Sequence, residues 1–172
     1  CPCPTLDPPA IHRDFEPSDL QPEIPAAGVG GTVLVQSQES DRDTDWLLEI
    51  AERTPFVLGV VGWTDLKAAN APTAIAALAA HPKLRGLRPM LQALPEDWVL
   101  SPALEPAITA MKRNRLCFDA LVYSRHLPAL RVLAQRHPDL PIVIDHCAKP
   151  PIAAQQISPW RIEITALAQL PN

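Results

Sequence analysis

Five short apolar runs, each followed by a stretch of helical periodicity, limit what this chain can fold into more than any other feature. The runs are GTVLVQ (31–36), FVLGVVGW (56–63), LRGLRPML (84–91), RLCFDALVY (115–123) and LPIVIDHC (140–147). After them come TDWLLEIAERT (44–54), APTAIAALAAH (71–81), SPALEPAITAMKRN (101–114), RHLPALRVLAQRH (125–137) and SPWRIEITALAQL (158–170). One run follows the next at about 25 to 31 residues, the size of a strand-helix unit. Strands this apolar, alternating with helices, predict a parallel sheet covered on both faces. Trp46, Leu47, Ile50 and Ala51 are expected on the buried face of the first helix, and Leu127, Leu130 and Leu133 on that of the fourth. Ser101-Pro102 and Ser158-Pro159 read as helix starts, with serine as cap and proline as first helical residue.

Two α/β architectures compete for this pattern. A five-stranded doubly wound domain is complete at 172 residues. A (β/α)8 barrel needs about 250, so the chain would then hold about five-eighths of one. The turn after the first run reads SQESDRDTD, acidic and free of the glycines that cradle a dinucleotide phosphate, which favours the barrel. Residues 1–172 are taken as a single domain with an irregular, proline-rich lead-in over 1–30, where PSDLQPEI is a short candidate helix. The 21 prolines mostly punctuate the segments rather than interrupt them.

Composition narrows the function. A net charge of −4, with Lys and Arg scattered, gives no basic stripe for a nucleic-acid backbone. No apolar run reaches the ~18 residues of a membrane span, and no basic-then-apolar leader opens the chain. Cys1 and Cys3 form a C-x-C pair without a neighbouring ligand cluster, while Cys117 and Cys147 fall in strand-like runs. Reduced cysteines fit a cytoplasmic location.

In either architecture ligands bind at the carboxyl ends of parallel strands. That rule selects Gln36, Gln38, Trp63, Asp65, Arg88, Asp119, Tyr123, Asp145, His146 and Lys149. His81 and His137 precede prolines at helix ends, which suits an imidazole helping to stop a helix, and His126 is expected on the surface. His146 alone among the histidines ends a strand, where it either closes the strand structurally or serves as a general base or metal ligand. Arg88 and Lys149 read equally as surface cations or as substrate donors. Asp119, set between apolar residues, must find a partner.

The segments RDFEPSDLQPEI, AAGVGGTVLVQSQ, FVLGVVGWTDL, HPKLRGLRPML, FDALVYSRHLPAL and HPDLPIVIDHCAKPPI, taken in order, resemble the amidohydrolase superfamily, within it the sugar-lactone hydrolases acting on fuconolactone or rhamnonolactone. The resemblance spans about residues 13–172 and implies a partial (β/α)8 TIM barrel, its strands two to six, that hydrolyses the ester bond of a small-molecule sugar lactone. It implies His146 as catalytic base or metal ligand, Arg88 as a catalytic donor, and Asp119, Lys149, Trp63 and Asp65 as substrate-binding residues. It also implies one divalent, zinc-like metal, although the H-x-H pair and the strand-eight aspartate that would share it are absent from these residues, and His12 lies too close to the second unit to replace the pair. An open arc exposes two sheet edges and its inner face, so these residues by themselves are expected to be inactive. The reading from another class is a non-catalytic doubly wound domain that binds a ligand or partner.

Overall fold

The computed structural model describes residues 13–172, so Cys1, Cys3 and His12 lie outside the described residues. All five apolar runs form strands, each shorter than its run: β1 (Thr32–Val35), β2 (Val57–Gly62), β3 (Leu84–Leu87), β4 (Cys117–Ala120) and β5 (Ile142–Ile144). Every neighbouring pair is parallel and the sheet order is β1-β2-β3-β4-β5. The order never doubles back. Right-handed crossovers that always step the same way put every connecting helix on one side of the sheet. A doubly wound sheet instead reverses at a switch point and carries helices on both sides. That alternative is excluded.

The lead-in holds two one-turn helices, α1 (Pro17–Leu20) and α2 (Glu23–Ala26), where one was expected. Pro22 separates them because it has no N–H to continue the helical ladder. The connecting helices are α3 (Asp41–Arg53), α4 (Ala71–Leu78), α5 (Glu105–Arg113) and α6 (Leu127–Arg136), and α7 (Ile157–Leu167) follows β5. Ser101 makes no side-chain cap; it precedes a tight 3-10 turn, Pro102–Leu104, that leads into α5. Ser158 and Pro159 sit inside the first turn of α7, where backbone N–H groups have no intrahelical partner and a proline costs nothing. No helix of the described residues is long and apolar enough to cross a membrane.

The core lies between the helices and one face of the sheet, where Val60, Ile75, Leu87, Ile108, Phe118 and Leu130 are almost wholly buried. The other face is open: Val33, Val35, Leu58 and Val143 are 51%, 41%, 55% and 46% exposed. The expectation of a sheet covered on both faces is therefore corrected to helices on one. In a barrel the second face is covered by the facing strands, through layers of inward side chains. Trp46, expected in the core, is 53% exposed. Helix α3 buries Thr44, Leu47, Leu48 and Ala51, an i, i+3, i+4, i+7 stripe, and at 100° per residue Trp46 falls off it. His126, expected on the surface, is buried in the 3-10 turn before α6, where its Nδ1 accepts the Tyr123 N–H at 3.1 Å and its Nε2 lies 3.4 Å from the Leu94 carbonyl.

Candidate functional site

The carboxyl ends of three strands meet at one guanidinium. Arg88 follows β3 directly and extends its ladder, its N–H donating to the Gly62 carbonyl at 2.8 Å. Its Nη1 donates to Asp145 Oδ2 beyond β5 at 3.0 Å, and its Nη2 donates to the Gln36 carbonyl beyond β1. Gln36 answers with its Nε2, which donates to the Arg88 carbonyl at 2.8 Å. In a flat sheet, β1 and β5 would each lie about 10 Å from β3 and about 19 Å from each other. One side chain bonding both at once requires the sheet to curve. Arg88 is thus a tie across the mouth of an arc, and the pair is well shielded, with side chains 12% and 16% exposed.

Beneath this pair lies Asp119, on β4, 6% exposed, with Oδ2 lacking a hydrogen-bond partner among the described residues. A Cβ on Gly86 of β3 would stand 2.5 Å from that oxygen, so glycine is what leaves the carboxyl its place. Burial first, then the Asp145 carboxylate, pushes the Asp119 pKa up from 3.8 to about 7, with Arg88 opposing. The folded state therefore holds this proton more tightly than the unfolded chain. Its stabilising contribution is complete below about pH 4 and is lost as pH rises towards 7, a swing on the order of a few kcal/mol. We expect the urea midpoint to fall between pH 5 and 8, and Asp119→Asn to flatten that slope. An identical slope in the variant would remove Asp119 as its source.

At the end of β2, the Trp63 backbone is gripped by a residue the sequence did not single out. Thr44 Oγ1 of α3 accepts the Trp63 N–H at 2.7 Å and donates to the Trp63 carbonyl at 2.8 Å. Gly62 permits this approach, since a Cβ there would lie 2.5 Å from the Thr44 methyl. Asp65 is not brought to the Arg88 cluster: its Oδ1 closes a local turn by accepting the Lys67 N–H at 2.9 Å, on an exposed side chain. Just past β1, Gln38, Ser40, Arg42, Asp43 and Trp46 line a cleft of about 350 Å3.

After β5 the chain takes an unusual turn. His146, Cys147, Ala148 and Lys149 have φ of 50°, 52°, 57° and 47°, a left-handed stretch without a single glycine. Each such residue costs roughly 1–2 kcal/mol, so the surroundings must hold the turn. His146 is exposed and its imidazole makes no hydrogen bond or ion pair with the described residues. Cys147 is exposed in this turn, not in a strand as its apolar neighbours suggested. Lys149 Nζ stands 5.3 Å from the Tyr123 ring centre, and Arg125 approaches the same ring at 4.9 Å. Cys117, on β4, has its thiol pushed up to about 12, chiefly by burial and then by Asp119, which leaves it unreactive.

No group of three or more His, Cys, Asp or Glu side chains among the described residues is placed to hold a metal ion. Of the nearby donors, Asp145 is bonded to Arg88 and Asp119 favours its proton, which leaves His146. The described residues alone do not fit a zinc site; they offer it one ligand. Gln36 and Asp145, seen in the sequence only as rim positions, are the partners that organise Arg88.

The amidohydrolase family model matches residues 5–172. An L-fucono-1,5-lactonase of Burkholderia ambifaria is 55% identical over 169 residues, which is 98% of this chain and 58% of the relative. An L-fucono-1,5-lactonase of Burkholderia multivorans is 31% identical, covering 94% of this chain and 57% of the relative. A solved amidohydrolase from Burkholderia multivorans with bound zinc superimposes with a TM-score of 0.86 at 30% identity, over 98% of this chain and 61% of that one. The chain thus spans a little under three fifths of the curated lactonases it matches.

Proposed function

This chain belongs to the amidohydrolase family, and from that premise we propose that it forms the β1–β5 arc of a sugar-lactone hydrolase, with its working mouth around Arg88, Asp145 and His146. The observation that carries the reading is the 55% identity to a lactonase across 98% of the chain. The substrate class is a small sugar lactone, with L-fucono-1,5-lactone as the first to test.

The reaction opens an ester ring. Water attacks the carbonyl carbon, a tetrahedral oxyanion forms, and the bond to the ring oxygen breaks. That oxygen leaves as an alkoxide and takes a proton, giving a hydroxy acid that ionises at neutral pH. His146, without a partner among the described residues, takes the proton from the attacking water and returns it to the leaving oxygen. Arg88 commits one N–H of each terminal nitrogen to Asp145 and Gln36, so it positions the mouth and keeps its remaining N–H groups for substrate oxygens. Lys149, an exposed ammonium beside the Tyr123 ring, is a further donor to substrate oxygens. Asp119 holds a proton near neutral pH beneath the ion pair, and Trp63 offers a half-buried ring at the next strand end. A metal, when bound, would polarise the carbonyl or acidify the water. In that case His146 would be its ligand from this chain in place of acting as the base.

The test uses a full-length barrel carrying these residues, for instance with the remaining length supplied by the Burkholderia ambifaria lactonase. Proton release from L-fucono-1,5-lactone should run well above the spontaneous rate. The 172-residue chain by itself, with its inner face open to water, should not exceed that rate. A folded full-length barrel that leaves a panel of sugar lactones at their spontaneous rates would overturn the reading.

A further inference from the structure

Resting on the reading of His146 above, we propose that Ser124 and Trp160 are positioning residues that clamp the left-handed turn 146–149 and so aim the His146 imidazole at the mouth. Within the turn, the Lys149 N–H donates to the His146 carbonyl at 2.9 Å. The turn's other carbonyls are taken from outside. Trp160 Nε1, on α7, donates to the Cys147 carbonyl at 2.6 Å. Ser124 Oγ, in the turn after β4, lies 3.0 Å from the Ala148 carbonyl and 3.3 Å from that of Lys149. A hydroxyl has one hydrogen, so Ser124 shares it between two neighbouring carbonyls.

The Ala148 methyl completes the clamp, being fully buried in the core. The turn is pinned on three sides, while the His146 side chain bonds to none of the described residues. Its direction is therefore inherited from the backbone that Ser124 and Trp160 fix. Neither residue needs to touch substrate for this. Strain of this kind persists only where surrounding contacts over-determine it, and here those contacts come from two different elements.

The experiment compares Ser124→Ala, Ser124→Thr and Trp160→Phe in the full-length barrel. Misaiming a reacting group by about 1 Å costs up to about a hundredfold in rate. Ser124→Ala and Trp160→Phe should each lower kcat about tenfold or more with KM within about twofold, and Ser124→Thr should restore most of the rate. Purely structural residues would lower the melting temperature and leave kcat intact at temperatures where the protein stays folded; that result overturns the proposal. Cys147→Gly checks the turn itself, because glycine adopts positive φ without strain and should raise the melting temperature by about 2–4 °C. A fall would mean that the left-handed turn is not the one in solution. His146→Asn separates the two levels of argument. If it is inactive while Ser124→Ala and Trp160→Phe keep kcat, the clamp fails and the His146 reading stands; if it keeps full activity, the reading itself fails.

Discussion

Replacing Arg88 by methionine should destabilise the protein by about 3–5 kcal/mol at pH 7.5, read from urea unfolding. The loss comes from what the substitution leaves behind. The Asp145 carboxylate, 16% exposed, would lose the cation 3.0 Å away, and the Gln36 carbonyl would lose its donor. Arg88→Lys should recover part of this, because an ammonium keeps the charge but lacks the planar fork that reaches two strands at once. Arg88→Met should also move Asp119 further above about 7, since Arg88 is the group that opposes its rise. An Arg88→Met protein as stable as the wild type would mean that the tie across the mouth contributes nothing.

Changing His146 to asparagine should lower kcat for lactone opening by about 10²- to 10⁴-fold, the span expected when a general base is removed. Asparagine is preferred to alanine here because it tolerates the left-handed conformation at φ 50°. Stability should stay within about 0.5 kcal/mol, as the imidazole is exposed and bonded to no described residue. A large loss of rate without loss of stability would separate function from structure at this position. Wild-type kinetics in the variant would remove His146 from the chemistry.

The strands were legible because β-branched runs announce themselves; the missing phosphate loop favoured the barrel-type arrangement, and the family resemblance implied it. Which residues line the open inner face was not legible. Val33, Val35, Leu58 and Val143 are as apolar as their neighbours, and periodicity cannot tell a face packed under helices from one packed under other strands. Trp46 misled for a related reason, since an apolar side chain beside a stripe reads as part of it. At the mouth, the strand-end rule found Arg88, Asp119 and His146 but not their relations: the partners of Arg88 lie 52 and 57 positions away in the chain. Nor did HCAK signal a left-handed turn, because no glycine marks it. Asp65 was selected by position alone, and its carboxylate serves its own turn.

Whether the guanidinium beyond β3 reaches the carboxylate beyond β5 is measured directly by a double-mutant cycle between Arg88→Met and Asp145→Asn. The two side chains come from strands that are not neighbours in the order β1-β2-β3-β4-β5, and the same guanidinium also reaches Gln36 beyond β1, a pair of bonds on opposite sides that only a curved sheet permits. The predicted result is a coupling free energy above about 1 kcal/mol, with the double variant more stable than the Arg88→Met single. Effects that add to within about 0.5 kcal/mol would contradict the arc and the mouth built on it.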